Sequence, residues 1–204
     1  MTLSFLDRFR PQRPPQAPLA FEGLAQVRAY WEGLRRGNSL PKRAAIDPRG
    51  LNGVLDRVFL AERIGRGLVQ VRIAGSGLAD FAGMDVRGLP LSCLFAPESR
   101  AQLGVTLERV FDLPAVAEVD LGSDRAGGGG LVARLLLLPM ADEDGAKLIL
   151  GAVSFAQGSA ARCKFQIHSW RDERLSLASD PQPQAPVAPL VRRFGHLSLV
   201  HTSD

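Results

Sequence analysis

The chain has 204 residues, 46% of them hydrophobic and 23% charged, with a formal net charge of +4. That length accommodates one sizeable domain with appendages, the composition is that of a soluble globular protein, and no stretch approaches the ~18 uninterrupted apolar residues of a membrane span. The positive excess lies in the flanks: residues 1–50 carry nine Lys/Arg against four Asp/Glu, residues 51–157 ten against thirteen, and residues 158–204 six against four. The middle is mildly acidic, and nothing groups the basic residues on one face with aromatics for stacking, so nucleic acid is disfavoured as a partner.

The opening MTLSFLDRFRPQRPPQ mixes charges where a secretory signal needs an apolar core, which predicts a cytoplasmic location. Pro11, Pro14, Pro15 and Pro18 make residues 1–19 a Pro-rich leader. Phe21, Leu24, Val27, Trp31 and Leu34 then recur at three- and four-residue steps and draw the apolar stripe of an amphipathic helix, which Gly37 ends. Leu24, Val27, Trp31 and Leu34 are the residues by which that helix anchors to a sheet or to a second subunit. In NSLPKRAAIDPRGLNGVL, Pro41 and Pro48 hold the residues before them extended, and Asp47 turns the chain into a short helical piece around Leu51 to Leu55.

From Arg57 the period changes to two. RVFLAERI and LVQVRIAG, separated by Gly65, Arg66 and Gly67, read as a β-hairpin. The following AGSGLADFAGMDVRG lacks the third glycine of G-x-G-x-x-G and any GK[ST], so its glycines turn the chain and do not cradle a phosphate. Leu78 to Met84 predicts a short helix capped near Gly83, and PESRAQLGVTLERVFDL a longer one with Leu103, Leu107, Val110 and Phe111 on one face, stopped by Pro114. Three strands follow in AVAEVDLG, LVARLLLLPM and KLILGAVSF, the last two joined at Asp144 and Gly145, with the AGGGG run of residues 126–130 at the preceding hairpin tip.

The fold class is therefore α+β, with an antiparallel sheet whose crossover helices cover one face. The domain boundaries fall at a leader over 1–19, a folded unit over 20–157 and a C-terminal extension over 158–204, Pro-rich and flexible after 178. The segment from Arg162 to Leu175 is either an added strand or a loose extension.

The order of these elements resembles the PAS domain superfamily. AYWEGLRRGNSLPKRAAIDPRGLNGVLDRVFLAE resembles in particular the leader of a bacterial PAS family found largely as stand-alone single-domain proteins. The likeness is carried by Tyr30, Trp31, Arg35, Pro41, Arg43, Asp47, Pro48 and Leu51, then Arg72, Ala74, Gly75, Gly83 and Gly88. It implies a five-stranded antiparallel sheet with helices over one face, enclosing a small hydrophobic hollow. It also implies a non-catalytic sensory or regulatory module that binds a small apolar ligand or a signalling protein and acts as a homodimer.

Ile73, Leu78, Phe81, Met84, Leu94, Leu107, Phe111, Leu135, Leu137 and Val153 are the residues that would line the pocket, or equally fill a core. Arg72 is a polar anchor if it faces the helices and a surface ion pair if it does not; Arg43 with Asp47, and Arg134, raise similar choices. No cofactor is expected: the long helix has no histidine for haem, and Cys93 lies among apolar neighbours with no flanking base. The two cysteines lie far apart and read as free thiols, and the three histidines all fall in the last fifth of the chain, so no metal site is expected. Two other classes stand beside the sensory reading. One is an enzyme using Asp80, Asp85 or Asp120 as a general base raised by burial, and the other is nucleic-acid binding through the basic flanks.

Overall fold

The computed structural model describes residues 21, 23–123, 131–156, 163–177, 192–194 and 197–199; the leader over 1–19, the AGGGG run and the spacer 180–189 lie outside them. The first helix, α1 (Leu24–Leu34), is followed by three single-turn helices at Arg43–Ala45, Pro48–Leu51 and Leu55–Arg57. The hairpin forms as read, from β1 (Val58–Gly65) and β2 (Leu68–Ala74), with Gly67 supplying the positive φ of 64° its loop requires. Then come α2 (Ser76–Ala82), a short turn at Leu91–Leu94, and α3 (Pro97–Asp112). Strands β3 (Ala115–Ser123), β4 (Leu131–Ala141), β5 (Lys147–Phe155) and β6 (Phe165–Arg174) complete the sheet, and β7 (Arg192–Phe194) pairs with β8 (Leu197–Leu199) in a separate ladder.

The main sheet has the order β2-β1-β5-β4-β3-β6 with every neighbouring pair antiparallel. It has six strands where the sequence predicts five. The sixth answers the question left open at Arg162 to Leu175: Phe165–Arg174 pairs with β3 along its length, from Ser123 opposite Phe165 to Ala115 opposite Arg174. Phe165 is buried against the helices, with Ile167 and Trp170 packed partly beside it, so the strand contributes to the core as well as to the ladder.

Two apolar layers lie on the two faces of this sheet. On the first, Leu103, Leu107, Val110 and Phe111 of α3 and Leu78 and Phe81 of α2 meet Val119, Leu121, Leu135 and Leu137 from the strands. On the second, Leu24, Val27 and Trp31 of α1 meet Leu60, Val116, Leu136, Leu138, Met140 and Leu150. Strand β4 therefore sends Ala133, Leu135 and Leu137 one way and Leu136, Leu138 and Met140 the other. Burial on both faces is why LVARLLLLPM shows no clean apolar and polar alternation. The α1 stripe is thus engaged within its own chain: Trp31 is fully buried, and its indole N–H donates to the Pro139 carbonyl at 3.0 Å. Leu34, at the end of the helix, is half-buried.

Candidate ligand-binding site

Eight of the ten residues predicted to line an inner pocket come together. Leu78, Phe81, Leu94, Leu107, Phe111, Leu135, Leu137 and Val153 are all buried in the layer beneath α2 and α3. There they pack against other side chains: the Phe81 ring stacks on Phe165 at 4.4 Å between centroids and on Phe155 at 4.8 Å. Ring pairs at such separations hold together beyond their buried area by ~0.5–1.5 kcal/mol each.

Ile73 and Met84 are the exceptions, exposed to 53% and 45%. Strict alternation would set Val69, Val71 and Ile73 on one face. The β1–β2 ladder instead pairs Ala61 with Val71 and Leu60 with Ile73, leaving Arg72 as the extra residue of a bulge. Past that bulge Ile73 lies opposite Leu60, which belongs to the α1 layer, so it is turned away from the helices that cover the inner pocket. Met84 follows Gly83, whose φ of 68° caps α2 and carries the chain off the core. Arg72 is exposed and its Nε donates to Glu62 at 2.7 Å, so it forms a surface ion pair and does not anchor a ligand in the inner layer.

A second concavity opens where residues 43–55 meet the β2 edge of the sheet. It has a volume of about 320 Å³, and its walls include Ile46, Pro48, Leu51, Leu55, Leu60 and Ile73. Leu55 and Ile73, both in its wall, are among the exposed large apolar side chains. Among the described residues, Arg43 is the one charged residue in the wall. Its guanidinium makes no side-chain hydrogen bond among the described residues, and its ion pair with Asp142 spans 3.9 Å.

Arg43 and Asp47 do not tie to each other. Asp47 Oδ1 accepts from the Arg49 amide at 2.9 Å and so caps the Pro48–Leu51 turn that forms one side of the groove. The same Asp47 holds α1: the Tyr30 hydroxyl donates to its carbonyl at 2.9 Å and accepts from its amide at 2.7 Å. Sequence reasoning missed the groove because its apolar residues come from segments with no common period. The signal available was the clustering of Ile46, Pro48, Leu51 and Leu55 in a segment too broken to form a helix.

The glycines of AGSG have a spatial role here. Gly75 has an ordinary φ of −69°, but a Cβ on it would fall inside contact distance of the Leu55 and Asp56 carbonyl oxygens. On Gly77 it would lie 2.9 Å from the Asp56 oxygen. Both glycines are therefore places where two backbones touch.

The three carboxylates considered as general bases are differently placed. Asp80 is exposed on α2. Asp85 is exposed and bound by Arg87, whose guanidinium approaches to 2.6 Å; these hydrogen bonds pull its pKa from 3.8 down to about 2. For Asp120, burial pushes the carboxyl up, but hydrogen bonds from Arg134 at 2.7 Å and Ser169 at 2.9 Å outweigh it and the net shift is downward. Neither Asp85 nor Asp120 is thus a carboxylate raised toward neutrality. Arg134, also placed over the Phe21 ring at 4.7 Å, belongs to the face that α1 covers. Cys163 is buried and Cys93 half-buried, and the two form no disulfide with each other. Among the described residues, no group of three or more His, Cys, Asp or Glu is arranged to hold a metal ion, and no helix is long and apolar enough to cross a membrane.

An antiparallel sheet in the order β2-β1-β5-β4-β3, with short helices and one long helix over a face, is the architecture of PAS-type sensory domains. A family model described as PAS domain matches residues 20–154, and the chain belongs to that family. Among curated proteins, none matches the chain. Family membership makes the domain a sensory or regulatory module in the general sense, of a class that does not usually carry catalysis of its own.

Proposed function

We propose that the protein is a non-catalytic sensory module that takes up a small apolar molecule in the groove between residues 43–55 and the β2 edge, and signals as a homodimer in the cytoplasm. The observation that carries this reading is the groove itself, at about 320 Å³ near the lower end of the range that small-molecule sites occupy (roughly 300–1,000 Å³). Its walls are apolar apart from Arg43, and two large side chains, Leu55 and Ile73, expose surface at it that water would otherwise cover at a cost. A route for the signal accompanies it. The Pro48–Leu51 turn beside the groove is capped by Asp47, and Asp47 is hydrogen-bonded twice to Tyr30 on α1. A ligand that moves the turn therefore acts on the helix packed across the sheet.

Native mass spectrometry of gently purified protein, combined with thermal-shift screening against small apolar compounds, tests the proposal. A dimer that carries a non-covalent small molecule, or whose unfolding temperature rises with one, supports it. A monomer with no bound molecule and no thermal response overturns it.

A further inference from the structure

We infer that the groove selects an apolar molecule bearing a carboxylate, with Arg43 binding the acid group and the wall formed by Ile46, Leu51, Leu55 and Ile73 receiving the chain. The inference rests on the ligand-binding reading above and adds the chemical class. Its basis is the combination of one cation with an otherwise apolar wall. A guanidinium presents a planar fork of donors that matches the two oxygens of a carboxylate. Several such forks in the fold are engaged: Arg87 on Asp85, Arg109 on Asp172 and Arg63 on Glu108 all lie within 2.8 Å of an acceptor. Arg43 is different. Asp142 stands 3.9 Å away, outside hydrogen-bond reach, and the adjacent Lys42, not Arg43, takes the neighbouring Glu143 at 3.0 Å. The guanidinium is about half exposed, so a ligand acid reaches it without displacing a tight internal pair.

The position fits the chain direction of such a ligand. Arg43 belongs to the wall together with the Ile46 side, while Ile73, Ala74 and Gly75 of the β2 end form another part of it. An amphiphile with its acid at Arg43 lays its hydrocarbon against Leu51, Leu55 and Ile73. The floor, formed by Phe59, Leu60 and Leu150, is part of the packed sheet and does not need to open.

Isothermal titration of the full chain with octanoate, octan-1-ol and octylammonium, at one ionic strength, tests the head group and the site together. The expected result is octanoate binding about tenfold or more tightly than octan-1-ol, as one charge-assisted bond predicts. Arg43→Gln should remove that advantage and leave octan-1-ol within about twofold of its former affinity. Ile73→Trp, which fills the groove from an exposed position, should weaken octanoate about tenfold or more, whereas Met84→Trp, exposed but outside the wall, should not. Should Ile73→Trp unfold, Ile73→Glu carries the same expectation through charge repulsion.

Equal affinity for octanoate and octan-1-ol, tighter binding of octylammonium, or an octanoate advantage that survives Arg43→Gln overturns the carboxylate assignment. Binding untouched by substitution at Ile73 overturns the groove as the site of this class. In each of those cases the sensory reading stands. Absence of binding by all three probes overturns the inference, and the native-mass and thermal-shift results then decide the broader reading on their own.

Discussion

The indole N–H of Trp31 donates to the carbonyl oxygen of Pro139 at 3.0 Å, with the ring wholly buried between α1 and strands β4 and β5. One residue thereby supplies both apolar area and a partner for an interior acceptor of the sheet. Trp31→Phe keeps most of the area and strands the Pro139 oxygen, so a loss of about 1–3 kcal/mol is expected in urea denaturation. Trp31→Ala also leaves a cavity and should cost about 3–5 kcal/mol. Equal stability of the Phe variant and the natural chain would show that the hydrogen bond contributes nothing net.

Gly75 gives a second test. Its φ is one that any residue adopts, so substitution acts through space alone. Gly75→Ala pushes a methyl group against the Leu55 and Asp56 carbonyl oxygens and should destabilise the fold by about 1–3 kcal/mol, or more if the backbone cannot yield. A thermal melt of the variant indistinguishable from that of the parent would mean that the two segments do not touch.

Leu107 and Ile73 separate the interior from the groove. Leu107→Ala removes a fully buried side chain and should cost about 2–5 kcal/mol, while Ile73→Ala, more than half exposed, should cost under about 1 kcal/mol. Reversal of that order in chemical denaturation would restore Ile73 to the inner layer and delete the bulge at Arg72.

Glu108 fastens the β1–β2 hairpin to α3. It accepts from the Gly67 amide at 2.6 Å and from Arg63 at 2.5 Å. Glu108→Ala should lower stability by about 1–3 kcal/mol and speed hydrogen exchange at the Gly67 amide. Unchanged exchange there would place the hairpin tip free of the helix.

The Asp85 carboxyl titrates near pH 2 in the folded chain against an ordinary 3.8, held down by hydrogen bonds from Arg87. A depressed folded pKa means that the pair's stabilisation is present above pH 4 or so and is lost as the pH falls from about 4 to about 2. Carbon-detected NMR titration should find the low midpoint, and Arg87→Ala should return it toward 3.8. A midpoint unaffected by that substitution would assign the depression to some other cause. Both groups are exposed, so added salt should weaken the effect.

Much of this arrangement is legible in the sequence because it follows from local period and turn chemistry. The α1 stripe, the β1–β2 hairpin, the Asp47 turn and the β4–β5 turn at Gly145, with its φ of 76°, all form where residue spacing predicts them. What is not legible depends on one-residue events and on long-range placement. A bulge at Arg72 reverses the facing of Ile73, and no propensity announces it. The sixth strand is hard to read because FQIHSWRDER lies on a sheet edge, half exposed, with a bulge at His168 that interrupts its own alternation. The groove joins Ile46, Leu55 and Ile73 across almost thirty residues, and only the folded sheet brings them side by side.

Strand β6 also bears on how the protein can be trimmed. Cut back to the residues matched by the family model, the chain would lose the ten-residue strip that covers β3 and leave Ala115 to Ser123 with one row of amides and carbonyls bare. Such a naked border is a template for unwanted pairing between molecules, and the place vacated by Phe165 would open the ring stack to water. A fragment ending near residue 154 is thus prone to self-association through the bared edge of β3, and an oligomer seen with it would report the cut and not the native assembly.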